Sequence, residues 1–344
     1  MGAPKYLSGD ASAIADFLDR FDTFLVDCDG VLWSGEHVFD GIPETIQFLH
    51  SQASGSAPLT HPPGKRTIFV TNNSTKSRVE YHAKLTSKGI PCTVDDIFGS
   101  AYSAAVYIAR ILRLPPHRNK VFVLGEAGIE AELRSEGVPY IGGTDPAYRR
   151  LGMTPDDFAG IADGSHLDPA VGAVLAGLDF HVDYYKLAHA HAYLRGDHVR
   201  GNDDSNNANG ETNQNNENTN RAVFLATNMD STLPMYYSLF PGAGSATVVA
   251  LAHMTGVEPL SLGKPSQAML DAVEGRFSLD RARTCMIGDR LNTDIQFGVQ
   301  GRLGGTLAVL TGVSSKADWE KPEAPAVPAY YVDSLSDLRG PAAK

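Results

Sequence analysis

Short runs of β-branched or apolar residues recur along the chain, at Thr23–Val26, Thr67–Thr71, Val121–Leu124, Val171–Leu178, Ala222–Thr227, Thr284–Ile287, Leu307–Leu310 and Ala329–Val332. Each is shorter than a typical helix and bounded by polar or turn-forming residues, so each predicts a buried strand. Between them, Pro43–Leu49, Ser77–Ser87, Tyr102–Leu112, Ile129–Glu136, Tyr184–Leu194, Ser245–Met254 and Ser266–Phe277 space their apolar residues at helical intervals. A strand followed by a crossover helix, many times over, predicts an α/β protein with a parallel sheet buried on both faces. Two stretches interrupt the rhythm. Residues 51–65 are rich in Ser, Pro, Gly and His, and residues 201–220 in Asn, Asp, Gly, Thr and Glu with no large apolar side chain. Neither has the apolar area to offset the entropy of ordering it, and both are expected to be exposed loops.

The length of 344 residues allows one large domain or two unequal ones, and 42% hydrophobic with 20% charged residues is ordinary for a globular chain. No apolar run approaches the roughly 18 residues a spanning helix needs, so no membrane partner is expected. The net charge of -11 has no compensating basic cluster, which argues against a nucleic-acid partner. Cys28, Cys92 and Cys285 form no CxxC pair, and the first ten residues lack an apolar signal core. A reducing, cytoplasmic setting is the expectation.

Chemistry concentrates where predicted strands end. Thr23–Val26 runs into Asp27-Cys28-Asp29-Gly30. Side chains two apart in an extended segment point the same way, so both carboxylates converge at the strand's carboxyl end, where open α/β sheets bind ligands. Two close carboxylates imply a bound cation or a protonated partner, unless they simply form a solvated Asx-turn. The run Cys285-Met286-Ile287-Gly288-Asp289 repeats the logic and adds a third carboxylate, an oxygen-rich set suited to Mg²⁺. Asp294 falls just inside the next helix, either as an acid favouring the helix start or as an outer member of the metal site. Thr71-Asn72-Asn73-Ser74 closes another strand with groups that donate to phosphate oxygens, and that also serve as ordinary helix caps. Gly263-Lys264-Pro265 is by itself an exposed turn and not a Walker A loop. Gly242-Ala243-Gly244-Ser245 misses the dinucleotide fingerprint and is a tight turn before a helix.

Together these segments resemble the haloacid dehalogenase-like phosphohydrolases. The family order of DxD, Ser/Thr, Lys and GD…D is matched by Asp27/Asp29, Thr71, Lys264 and Asp289/Asp294. The wording DCDGVLW, TNNS, ATNMD, FPGAGS, GKPS, GDRLNTDI and LTGVS is similar to the eukaryotic 4-nitrophenylphosphatase, phosphoglycolate phosphatase and pyridoxal phosphate phosphatase group. The resemblance spans about residues 17 to 338 and fades in the two insertions.

What the resemblance implies is a Rossmann-like core formed by residues 1–99 and 234–344, with a cap domain inserted as 100–233. It implies a Mg²⁺-dependent phosphatase of small phosphorylated metabolites such as 2-phosphoglycolate, in which Asp27 attacks phosphorus and Asp29 is the general acid and base. Mg²⁺ would be held by Asp27, the backbone carbonyl of Asp29, and Asp289. Lys264 would offset charge, Thr71, Asn72 and Asn73 would hold the phosphoryl oxygens, and a cap loop Gly177-Leu178-Asp179-Phe180-His181 would bring His181 to the substrate. A homodimer through the cap is compatible with the group. The rival readings are a catalytically silent phospho-ligand sensor on the same fold and a phosphotransfer receiver domain, the latter disfavoured by the length of this chain.

Overall fold

Alternation along the strands sets the architecture. Phe24 and Val26, with Phe69, Ile287 and Val309, enter one apolar cluster, while Leu25, Ile68, Val70 and Met286 enter another on the opposite side. A sheet buried on both faces results. The computed structural model, which describes residues 3–52, 64–196, 221–235 and 238–339, shows this sheet with seven strands. In spatial order they are Lys5–Tyr6, Tyr330–Val332, Gly305–Val309, Thr284–Gly288, Thr23–Val26, Arg66–Thr71 and Ile97–Gly99. Every neighbouring pair is parallel, as the strand and crossover-helix rhythm predicts.

A second sheet of five parallel strands follows the same rule, in the order Leu260–Ser261, Val223–Ala226, Val171–Ala176, Lys120–Leu124 and Tyr140–Gly142. Phe122, Val174 and Phe224 face one cluster, and Val121, Leu175 and Leu225 the other. Helix Ser100–Tyr107 joins the two layers, since Ala101, Ala104 and Ala105 pack with the second sheet while Tyr102 packs with the first. An antiparallel hairpin, Thr232–Met235 with Ser238–Pro241, lies in chain order between two strands of the second sheet, Val223–Ala226 and Leu260–Ser261.

Capping explains where several helices begin. Ser77 caps Arg78–Ser87 through a reciprocal box with Glu80, and Ser266 caps Gln267–Phe277. The predicted Tyr102–Leu112 and Ser245–Met254 helices each include a wider π-type turn, at Ile108–Leu112 and Gly244–Val248. The latter starts at the Gly242–Ser245 turn.

Two expectations need correction. The second sheet takes Leu260–Ser261 as an edge strand, and Val248 and Leu251 pack in its cluster, so its layer extends well past residue 233. The reason is that this strand has two residues and carries no periodic signal, so its partner sheet is invisible in the local pattern. The 201–220 tract lies outside the described residues, as does most of 51–65. Lys65, at the end of the latter, is buried and not exposed, its Nζ donating to Phe21 O at 2.8 Å. No helix among the described residues is long and apolar enough to cross a membrane.

Leu251 tests the revised extent of the second layer. Its side chain is fully buried between helix Val249–Thr255 and the sheet. Leu251→Ala is expected to cost about 2–5 kcal/mol, read as a lower thermal midpoint. An unchanged midpoint would show that this helix does not hold the second layer.

Candidate active site

Adjacent parallel strands end together. Val26 lies opposite Ile287 on one side and Phe69 on the other. The residues that follow therefore meet at one edge: Asp27, Asp289 and Thr71. All three are buried. Asp27 N–H donates to Ile287 O at 2.9 Å, which carries the pairing one residue beyond the strand and fixes where its carboxylate emerges. Gly30 then turns the chain with φ of 88°, and any Cβ there would collide with the Asp289 carboxylate, so glycine is required by space as well as by conformation. Trp33 Nε1 donates to Asp29 Oδ1 at 2.7 Å, which aims the second carboxylate and leaves Oδ2 without a partner among the described residues.

Lys264 arrives from the other layer. Leu262 N–H still donates to Ala226 O at 2.8 Å, so the chain is held to the second sheet until two residues before the lysine. Asn72 then grips the lysine backbone on both sides, accepting from its N–H at 2.7 Å and donating to its carbonyl at 3.0 Å. Gly263 makes this approach feasible, because a Cβ there would lie 2.7 Å from Asn72 Oδ1. The result is an ammonium, 2% exposed, that donates to Asp27 Oδ1 at 2.6 Å and Val70 O at 2.8 Å. It also lies 2.7 Å from Asp294 Oδ1. Burial works against this charge, but Asp27 and Asp294 outweigh it and hold the lysine protonated.

The carboxylates remain in excess. Ligand atoms of Asp27, Asp289 and Asp294 lie within 4.8 Å of one another, all buried. Burial raises the Asp27 carboxyl well above its usual range, opposed by Lys264 and reinforced by Asp294 and Asp289. Burial and then Asp294 push Asp289 up to about 7. Asp289 Oδ2 accepts from Val313 N–H at 2.7 Å, whereas its buried Oδ1 has no hydrogen-bond partner. An unsatisfied buried carboxylate oxygen in a cluster of like charge fits a hard divalent cation, and Mg²⁺ in particular. Asp294 is held from both sides: Oδ2 accepts from the N–H groups of Asp289 and Arg290 at 3.2 and 3.1 Å, just before the helix, while Oδ1 faces Lys264.

Thr71 and the two asparagines diverge. Thr71 Oγ1 accepts from Asn73 N–H at 3.1 Å and is 3.4 Å from Tyr81 Oη. The Asn72 side chain is fully engaged, adding Asp230 Oδ1 at 3.0 Å to its grip on Lys264. Asn73 Oδ1 accepts from Thr75 N–H and Oγ1 at 3.0 and 2.7 Å, in an Asx-turn. The cavity above these groups is lined by Asp27, Asp29, Thr71, Asn73, Lys264 and Arg290, among others.

The sequence matches the profile of haloacid dehalogenase-like hydrolases over residues 24–139 and that of a HAD-hydrolase-like family over residues 261–338. A 4-nitrophenylphosphatase of Schizosaccharomyces pombe is 44% identical over 323 residues, covering 94% of this chain and 95% of that protein. The chain belongs to the haloacid dehalogenase-like hydrolases. Within them it falls in the phosphatase group. The chloroplastic phosphoglycolate phosphatase 1A of Arabidopsis thaliana is 36% identical, covering 95% of this chain and 78% of that one. Among solved structures, a glycerol phosphate phosphatase of Mycobacterium tuberculosis in complex with magnesium superposes with a TM-score of 0.67 at 27% identity, covering 93% of this chain and 77% of that one.

In this haloacid dehalogenase-like phosphatase, His181 is not among the residues that line the cavity, whereas Leu178 of the same loop is. The His181 ring Nδ1 is 3.0 Å from Glu126 Oε1, and the side chain is 53% exposed. The loop is anchored by the fully buried pair of Asp179 and Lys186 at 2.6 Å. Conversely, Asn228 and Asp230 were given no role, although they sit in the ATNMD wording. Asn228 Nδ2 donates to Asn72 O at 2.8 Å, and Thr227 Oγ1 to Ser74 Oγ at 3.2 Å, so this segment clamps the Thr71–Ser74 loop from the second layer. Cys28 is buried and free, and burial, then Asp27 and Asp29, raise its thiol well above the usual range. It is an unreactive filler.

The charge excess predicts a pH-dependent response to metal. In metal-free protein Asp289 ionises at about 7 against an ordinary 3.8, so its contribution to stability is intact below about pH 4 and is lost as pH rises towards 7. Mg²⁺ is expected to raise the thermal midpoint more at pH 8 than at pH 5, where it must displace a proton. Asp289→Asn is expected to reduce the Mg²⁺ response. A midpoint indifferent to Mg²⁺ at both pH values would count against a cation site here.

Proposed function

We propose that this phosphatase hydrolyses small phosphorylated metabolites of the 2-phosphoglycolate kind in a Mg²⁺-dependent reaction through an aspartyl-phosphate on Asp27. The observation that carries the reading is the buried Lys264–Asp27 contact. It opposes the burial that raises the Asp27 carboxyl, so it favours the ionised form, and it orients the carboxylate. Lys264 occupies Asp27 Oδ1, and Oδ2 accepts from no described residue while the side chain lines the cavity. Oδ2 is therefore the attacking atom, forming the new bond to phosphorus as the ester oxygen leaves. Asp29 Oδ2 delivers a proton to that oxygen, and then takes one from the water that cleaves the acyl phosphate. Trp33 keeps it aimed for both steps. Thr71 and Asn73 cradle the phosphoryl oxygens, whereas Asn72 acts through Lys264 as a positioning residue.

Mg²⁺ would be held by Asp27, Asp289 and the backbone carbonyl of Asp29, with Asp294 beside them. When bound it supplies the positive charge that lets a phosphate dianion approach a carboxylate. The magnesium in the mycobacterial neighbour supports this assignment. The names of the relatives support the substrate class. The buried thiols of Cys28 and Cys285 fit a cytoplasmic setting. A homodimer through the second layer is part of the reading, supported there by the exposed and mutually contacting rings of Phe158 and Tyr184.

Asp27→Asn is expected to abolish turnover of 4-nitrophenyl phosphate with the fold retained, and ³²P transferred from substrate onto that variant would end the assignment. Asp29→Asn is expected to lower kcat by about 10²- to 10⁴-fold for an alkyl phosphate, less for 4-nitrophenyl phosphate, whose leaving group needs little protonation. Equal losses on both would remove Asp29 as the acid.

A further inference from the structure

Arg290 and Lys264 are the two cationic side chains that line the cavity, and they are placed differently. Lys264 is saturated by Asp27, Asp294 and Val70 O. Arg290 follows Asp289 at the end of a core strand and reaches the hairpin, where its Nη2 donates to Thr232 O at 3.2 Å and Thr232 Oγ1 at 3.3 Å. Among the described residues no carboxylate is within ion-pair distance of its guanidinium. Asp289 and Asp230 act on it only at longer range, and Asp230 itself accepts from Asn72. A half-buried guanidinium has lost part of its hydration, and such groups are ordinarily paired. This one has its fork tied at one corner to the hairpin, and its remaining N–H groups have no hydrogen-bond partner among the described residues.

We propose that Arg290 is a specificity-determining residue that binds a second anionic group of the substrate, a carboxylate within one or two carbons of the phosphoester. This rests on the phosphatase reading above. Three observations favour a carboxylate over the phosphoryl group as its ligand. The phosphoryl group must lie against Asp27 for in-line attack, where Lys264, Thr71 and the Asn73 loop already converge. Arg290 is anchored instead to Thr232, which belongs to the hairpin wall. That wall also presents Leu233, an apolar neighbour that strengthens a charged contact by excluding water. The planar guanidinium fork matches a carboxylate, and Thr232 fixes its plane before substrate arrives, which lowers the entropy cost of binding. Phosphorylated hydroxy acids are thereby favoured over phosphorylated polyols of the same size, which offer this wall only hydroxyls.

The test compares 2-phosphoglycolate with glycerol 3-phosphate in wild type, Arg290→Gln and Arg290→Lys, each with saturating Mg²⁺. Wild type is expected to prefer 2-phosphoglycolate in kcat/KM. Arg290→Gln should cut that preference about 10- to 100-fold, chiefly through a higher KM for 2-phosphoglycolate, the range of one charge-assisted contact. Arg290→Lys keeps the charge without the fork and should restore part of it. Equal losses on both substrates with a lowered kcat would overturn the proposal, because Arg290 would then serve the phosphoryl group or the hairpin. An unchanged ratio would overturn it too. If wild type turns over neither these substrates nor 4-nitrophenyl phosphate, the phosphatase reading fails instead, so the two failures are distinguishable.

Discussion

The site depends on one contact, the ammonium of Lys264 against the carboxylates of Asp27 and Asp294. Three buried carboxylates within 4.8 Å of one another could not remain ionised on burial alone, since desolvation and mutual repulsion both favour protonation. A single fixed cation alters that balance, because attraction in a poorly solvated site is strong at 2.6 Å. Buried pairs of this kind contribute little to net stability, but removing one partner leaves an uncompensated charge. Their value here is chemical: the ammonium favours the anionic form of the nucleophile, which keeps one oxygen for the cavity.

That contact ties the active centre to both layers. The core sheet delivers three strand ends to one edge, which places Asp27, Thr71 and Asp289 by topology alone. Lys264 cannot come from that sheet, since its segment leaves the last strand of the other one. Between them lies the Thr71–Ser74 loop, bonded to Lys264 by Asn72 and held from the second layer by Asn228 and from helix Ser100–Tyr107 by Ser100 Oγ, which donates to Asn72 O at 2.7 Å. A shift of the second layer is therefore transmitted to the lysine, and through it to the nucleophile. The two layers share one constellation.

Much of this was legible in the residues. Strand ends carrying DxD, TNNS and GD were visible because buried parallel strands are continuous apolar runs that stop abruptly at polar residues, and the strands observed at Thr23–Val26 and Thr284–Gly288 coincide with those runs. Lys264 was legible only by resemblance, since a lysine between glycine and proline has no local signal of burial. The roles of Asn72 and Asp230 were not legible at all. An asparagine at a strand end is equally suited to phosphate or to backbone, and only the arrival of a segment 192 residues away selects the second. Leu260–Ser261 was missed for the same reason, as a two-residue strand exists only through its partner. The partner of His181 was not legible either, because loop sequence states the chemistry of a side chain but not its direction, and Glu126, 55 residues earlier, lies beside the ring.

The distribution of positive charge then separates reactivity from choice. The Lys264 ammonium is saturated by the nucleophile and Asp294, so it acts alike on every phosphomonoester that reaches Asp27. The Arg290 guanidinium is bonded to Thr232 of the hairpin and, among the described residues, to no carboxylate, so what it contributes depends on what the rest of the substrate carries. A single cation serving both ends would couple affinity for the leaving portion to the charge state of the nucleophile. Assigning the two tasks to Lys264 and Arg290 separates them, so that interactions with the non-reacting end can change without altering the ammonium that contacts Asp27. Selectivity within this fold can therefore change through the hairpin and the residues that touch it, while the strand-end carboxylates stay as they are.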